Sequence, residues 1–228
     1  MKPRFLTENI VYESNLPESS KYLRWIGTLT LSNGKFEKVT VSNIKDYSKS
    51  SLRSLWKEYL DLILTLPDHS NLVTTLGYYT NNGYTYSVHE YASTGTLKSH
   101  LSSEYGNLSN TKSSIVQGAF LRFSNDIING MEYLASKGCS HPGLQCKKVL
   151  LNVFQVSKLY DFCPSTAAVK VIEFYTEKRE VKSVTTFAPE NIFLGEHSPA
   201  SDIWSLGLTL WEIYSGGECL PYLQVVLC

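Results

Sequence analysis

The chain opens with short runs in which apolar and polar residues alternate, the period of a β-strand. Asn9 to Leu16 is one such run, and Tyr22 to Leu31, dense in Leu, Trp, Ile and Thr, is a second. Ser32-Asn33-Gly34-Lys35 separates the second run from a third, Phe36 to Ile44. Asn-Gly suits a type I′ turn, so these two runs are expected to pair as a hairpin. The period then changes. Leu52, Leu55, Trp56, Tyr59, Leu60, Ile63 and Leu64 recur at helical spacing, which predicts a helix over Ser50 to Leu66, stopped by Pro67. Strand-like runs return at Leu72–Tyr79 and Tyr84–Glu90, joined by Asn81-Asn82-Gly83.

After Thr94-Gly95 the pattern is mainly helical. Leu97–Leu101 begins a helix. Ser102 to Ser114, rich in Ser, Asn and Gly, reads as a mobile surface insert. Phe120 to Ser136 is a long amphipathic helix closed by Lys137-Gly138. Asp202 to Tyr214 is apolar almost all round, so it is expected at the centre of a core.

Composition narrows the function classes. The 228 residues suffice for one two-lobed domain or two small ones, and a hydrophobic fraction of 43% supports a core. The 21 basic and 21 acidic residues cancel, which leaves no electrostatic footprint for nucleic acid or an anionic membrane. The five cysteines (Cys139, Cys146, Cys163, Cys219 and Cys228) form no C-x-x-C pair and no His-Cys ligand spacing, and read as free thiols in a reducing compartment. No apolar run approaches the roughly 20 residues that span a bilayer, and no signal peptide opens the chain.

The candidate chemistry lies in four short stretches: His141-Pro142-Gly143-Leu144, Asp161-Phe162-Cys163, Ala188-Pro189-Glu190 and Ser201-Asp202-Ile203-Trp204-Ser205-Leu206-Gly207. In order they resemble the catalytic loop, the DFG motif, the APE motif and the SDVWSxG helix of protein kinases. Glu90-Tyr91-Ala92-Ser93-Thr94-Gly95-Thr96-Leu97 and Met131-Glu132-Tyr133-Leu134-Ala135-Ser136 look most like receptor tyrosine kinases. The resemblance covers about residues 8 to 222. It implies an α+β, two-lobed protein-kinase-like fold: an N-lobe of five antiparallel strands and one helix over residues 1–93, and a mainly helical C-lobe over 94–228. Kinase domains continue for several helices beyond Pro221-Tyr222, so the C-lobe is expected to lack its last helices and to favour a partner or oligomer there.

Against that family, particular positions depart. The glycine-rich loop falls near Pro17-Glu18-Ser19-Ser20-Lys21-Tyr22 and has no glycine. Ser42 stands where the third strand carries the phosphate-binding lysine, and a hydroxyl is no counter-charge for phosphate. Lys45 has the opposite strand parity. Lys38 lies four residues back, about 13 Å at a rise of roughly 3.3 Å per residue. Gly143 stands at the catalytic aspartate and Lys148 at the asparagine that holds the second magnesium. Lys148 is expected to be a solvated lysine. The degenerate catalytic positions are therefore Ser42, Gly143 and Lys148, with no catalytic residue left.

Other family positions are kept. Asp161 matches the metal-binding aspartate and is the one weak metal candidate. Thr40, His89, Tyr91, Leu150 and Asp161 would line a residual nucleotide pocket. His89 is at the gatekeeper position and reads as a hydrogen-bonded core histidine. Cys163 reads as a buried, inert thiol. Glu58 matches the helix glutamate that pairs with the lysine missing at Ser42. Leu62, Thr75, His141, Phe162 and Asp202 match the regulatory spine and its anchor. Tyr175 is the single tyrosine of the activation segment, residues 164 to 187, and a candidate phosphorylation site.

The resemblance with these departures implies a receptor-tyrosine-kinase-like pseudokinase. It would not be an enzyme, would use no cofactor, and would signal as an allosteric or scaffolding partner of an active protein kinase or adaptor, as a homo- or heterodimer. It is expected in the cytoplasm as the intracellular domain of a receptor whose membrane segment is outside this chain. The alternatives are a nucleotide- or inhibitor-binding switch and a weak unconventional tyrosine kinase using Asp161 and metal.

Overall fold

A computed structural model describes residues 1–17, 19, 21–105, 113–177 and 184–217. Two compact units divide the chain. The first comprises residues 1–68 and 73–91, the second residues 69–72 and 92–228.

The first unit is built on an antiparallel sheet of β1 (Ile10–Asn15), β2 (Tyr22–Thr30), β3 (Phe36–Ile44), β4 (Thr75–Asn81) and β5 (Tyr84–Glu90), in the order β1-β2-β3-β5-β4. The Asn-Gly turn sets the register of its central hairpin. Gly34 has φ +77°, and Thr30 pairs with Phe36. From there each step inward pairs one residue of β2 with one of β3, so Ile26 faces Thr40 and Arg24 faces Ser42. One sheet face carries the apolar cluster Ile10, Leu29, Val39, Val41, Tyr79 and Val88. The other is met by helix α1 (Ser50–Thr65), whose Trp56 and Tyr59 rings lie 5.6 and 5.9 Å from that of Tyr22. The fourth strand starts at Thr75 rather than Leu72, because Leu72 makes an isolated parallel bridge to Leu159 in the second unit.

The second unit contains helices α2 (Leu97–Tyr105), α3 (Ser114–Ser136), α4 (Ala168–Glu177), α5 (Pro189–Phe193) and α6 (Pro199–Tyr214). Two small antiparallel pairs accompany them: β6 (Cys139–Ser140) with β9 (Cys163–Pro164), and β7 (Val149–Leu151) with β8 (Ser157–Leu159). Its core includes Leu97, Leu101, Phe120, Phe123, Ile127, Leu134, Leu144 and Ile213, all almost fully buried. Gly130 lets α3 approach closely, since a Cβ there would sit 2.8 Å from Leu159 and 3.0 Å from the Asn71 carbonyl.

Three expectations change here. The first turn of the insert is helical, because α2 runs to Tyr105; residues 106–112 of that insert lie outside the described residues, as do Glu18 and Ser20 of the loop, residues 178–183, and Cys219 to Cys228. The activation segment contains a helix, α4, whose apolar side buries Val171, Ile172, Phe174 and Tyr175. And α6 is not covered all round by the described residues: Ser205, Leu208, Thr209 and Ile213 are buried, while Ile203 is 64% exposed and Trp211 54%. Its uniform apolar pattern conceals this asymmetry, since covering residues come from elsewhere in the fold.

Candidate functional site

The second unit gathers the motif residues through its smallest sheet. Ser140 pairs with Cys163, which lays His141-Pro142-Gly143 beside Asp161-Phe162. The His141 amide donates to both carboxylate oxygens of Asp202, each at 3.2 Å. His141 is fully buried, and burial pushes its imidazole down to about 4, with help from the Lys148 cation and against the pull of Asp161 and Asp202. Phe162 is buried nearby in the chain, and Glu190 accepts a hydrogen bond from Ser201 Oγ at 2.6 Å, which holds its carboxyl below the usual range.

The catalytic-loop position is shaped for glycine. Gly143 has φ +63°, and a Cβ there would meet the Phe187 ring at 2.6 Å and Thr186 Oγ1 at 3.0 Å. Asp161 also lies in the left-handed region at φ +67°, where aspartate is tolerated better than most side chains.

Lys148 overturns its expected solvation, being only 4% exposed. Its Nζ donates to the Pro142 carbonyl at 3.1 Å, lies 3.5 Å from Asp161 Oδ2 and sits 5.2 Å from the centre of the Tyr175 ring. The Tyr175 hydroxyl donates to the same Asp161 oxygen at 3.3 Å. The tyrosine is itself held between rings, with Phe174 at 5.5 Å and Phe187 at 6.2 Å. A buried carboxylate is thus met by an internal cation and a phenol, which offset the cost of its burial. Tyr175, a candidate for phosphorylation, is 5% exposed in this arrangement.

The first unit carries the other candidates. Thr40 pairs with His89, and Ser42 with Ser87. Directly paired residues of an antiparallel sheet share a face, so Arg24, Ser42, Thr40 and His89 lie together on the face that α1 meets. His89 is in hydrogen-bond distance of Thr75 Oγ1 at 3.3 Å and Ser87 Oγ at 2.9 Å. Burial pushes its imidazole down to about 4, against the pull of Glu90 and with help from the Arg24 cation. Glu58 is half-buried and accepts from Ser54 Oγ at 3.1 Å; Leu62 is half-buried and Thr75 buried. Lys38 Nζ pairs with Glu13 at 3.3 Å and lies 5.3 Å from the centre of the Tyr91 ring. In the loop before β2, the Ser19 hydroxyl accepts from the Tyr22 amide at 2.8 Å. Leu150, in the second unit, is half-buried in β7 and pairs with Lys158.

Comparison with known proteins decides the family. Residues 25–226 match the family model described as protein tyrosine and serine/threonine kinase. The chain belongs to the protein kinase family. Fibroblast growth factor receptor 1 of Pleurodeles waltl is 31% identical over 199 residues, covering 82% of this chain and 24% of the receptor. That of Xenopus laevis is 31% identical over 202 residues, again covering 82% and 24%. Fibroblast growth factor receptor homolog 1 of Drosophila melanogaster is 27% identical over 217 residues, covering 85% and 29%. The chain therefore spans about a quarter of the length of these relatives, and it is a receptor-tyrosine-kinase-like domain.

Family membership corrects two expectations. The reading as a non-enzyme is overturned, because the matching family is one of kinases and the relatives are receptors of that family. The reading without cofactors falls with it, since protein kinases transfer a phosphoryl group from ATP with divalent metal. The two groups fit the described residues differently. The first unit's sheet face offers a cation, Arg24, beside Ser42, which suits a phosphate. At Asp161 a metal does not fit the present arrangement: Lys148 and Tyr175 already occupy Oδ2, and no cluster of three or more His, Cys, Asp or Glu side chains forms among the described residues. No described helix is long and apolar enough to cross a membrane.

Sequence reasoning missed Arg24, Phe187 and the inward course of Tyr175. Arg24 could have been found by counting outward from the Asn-Gly turn. The other two depend on how the activation segment folds back, for which the chain gives no periodic signal.

Proposed function

We propose that this domain serves receptor-tyrosine-kinase-type signalling as an allosteric partner of a second kinase domain, binds ATP, and transfers phosphate slowly. The observation that carries this reading is the Lys148–Asp161–Tyr175 cluster packed beside Gly143. An enzyme of this family works by placing a base at the substrate hydroxyl and charge at the phosphates. Glycine at the base position supplies no proton acceptor, and a general base is worth about 10²–10⁴ in rate. The aspartate that would hold metal is held instead by a lysine. What the fold preserves is the ordered frame: His141 anchored on Asp202, the sheet with α1, and the buried activation-segment helix. Such a frame presents lobe surfaces and α1 to a partner in one defined conformation, the requirement for allosteric contact. The whole protein is read as a receptor with this domain on its cytoplasmic side, acting as a homo- or heterodimer with an active kinase or adaptor.

The test is to titrate the purified domain into an active receptor tyrosine kinase domain and follow that kinase's turnover on a peptide. A several-fold change in the partner's kcat/KM supports the reading, with phosphotransfer by the domain alone at least a hundred-fold slower. An unchanged partner at saturating domain, or full-speed transfer by the domain alone, defeats it.

A further inference from the structure

Ser42 removes the cation that the third strand would present to phosphate, yet the pairing of β2 with β3 puts an arginine directly across from it. Arg24 and Ser42 are cross-strand partners. Opposed residues in an antiparallel pair have Cβ atoms about 4.5–5.5 Å apart and point to the same face. The neighbours on that face are Thr40, paired with Ile26, and His89, paired with Thr40. An independent observation places the charge there: the Arg24 cation is close enough to His89 to oppose its protonation. Arg24 is half-buried rather than enclosed, so a ligand on this face can reach it. Neither lysine of the third strand competes. Lys38 is engaged by Glu13 on β1 and by the Tyr91 ring, and Lys45 follows the strand's last residue.

We infer that Arg24 is the phosphate-binding cation of this domain, a charge carried by the second strand in place of the third. Its ligand is the phosphate chain of a nucleoside triphosphate lying against the Thr40–Ser42–His89 face. The guanidinium is permanently charged and presents paired N–H donors that match phosphate oxygens two at a time. The serine hydroxyl beneath it leaves room where a lysine would otherwise stand. The inference rests on the reading above that the domain binds ATP.

The experiment is a competition assay on the purified chain with a fluorescent ATP analogue, displaced by ATP or adenosine in EDTA so that no metal carries the phosphates. The wild type is expected to prefer ATP over adenosine by at least about tenfold, or roughly 1.4 kcal/mol. Arg24→Gln is expected to abolish that preference while adenosine affinity, the control for an intact fold, stays unchanged. Arg24→Lys should keep part of it, and Arg24→Gln/Ser42→Lys should restore it by returning a cation to the third strand. Arg24→Gln that retains the full preference overturns the inference and leaves the nucleotide reading standing. Equal affinity of the wild type for ATP and adenosine does the same. A wild type that binds neither overturns both.

Discussion

The ammonium of Lys148 lies 3.5 Å from the carboxylate of Asp161, with 5% and 6% of the two side chains exposed. Lysine stands where the kinase family has an asparagine, and the structure shows what this changes. An internal cation faces the aspartate, and a tyrosine from the activation-segment helix completes the cluster through the same oxygen.

Removing that cation is costly. Lys148→Met should destabilise the domain by about 3–5 kcal/mol, because it leaves a buried carboxylate without its counter-charge. Lys148→Met/Asp161→Asn should recover much of the loss. Urea unfolding of the wild type, both single variants and the double variant measures the coupling; additive effects would show that the pair does not interact.

Restoring the missing aspartate should not restore a fast enzyme. Gly143→Asp places a Cβ against Phe187 and Thr186 at a positive φ. Overpacking and backbone strain together should cost about 1–3 kcal/mol. Phosphotransfer should rise only when Phe187→Ala is added to clear the space. A stable Gly143→Asp variant with a hundred-fold faster transfer would contradict this.

Tyr175 should resist modification in the folded domain. An added tyrosine kinase is expected to phosphorylate it slowly, and faster once Phe187→Ala loosens its packing, as read by mass spectrometry of the 168–177 helix. Tyr175→Phe should cost only about 0.5–1.5 kcal/mol, the net worth of one hydrogen bond.

The domain should weaken in acid through His89. Its folded pKa of about 4 lies below the ordinary 6.5, with Glu90 and Arg24 the charged groups acting on it. The unfolded chain therefore binds a proton in this window that the folded state refuses. This contribution is absent above pH 6.5, grows as pH falls, and is complete below about 4, with a maximum near 3 kcal/mol. His89→Gln should flatten the curve by that amount. Identical slopes between pH 4 and 6.5 for wild type and variant would refute it.

Burial should also keep the thiols quiet. It pushes Cys139 up to about 11 and Cys146 further. Alkylation of both by iodoacetamide at pH 8 should await unfolding; rapid labelling of the native domain would show the thiols to be accessible.

Much of the fold was legible because its signals are local. Alternation marked β3 and β5 to the residue, and helical spacing marked α1 nearly so, since a strand or an amphipathic helix writes its period into contiguous residues. The positions of Ser42, Gly143, Lys148 and Asp161 were likewise readable from short motifs. What those residues touch was not. The exposed face of α6 follows from which segments cover it. The Lys148–Asp161–Tyr175 cluster joins residues up to 27 positions apart, through a segment with no motif of its own. Arg24 acquires its meaning only when the hairpin register sets it across from Ser42. By itself the sequence determined the kinase frame and the identity of each substituted residue, because both are properties of consecutive positions. Only the tertiary structure decided which charge answers which, because electrostatic partnership depends on distance in space, and folding brings together side chains that the chain keeps apart.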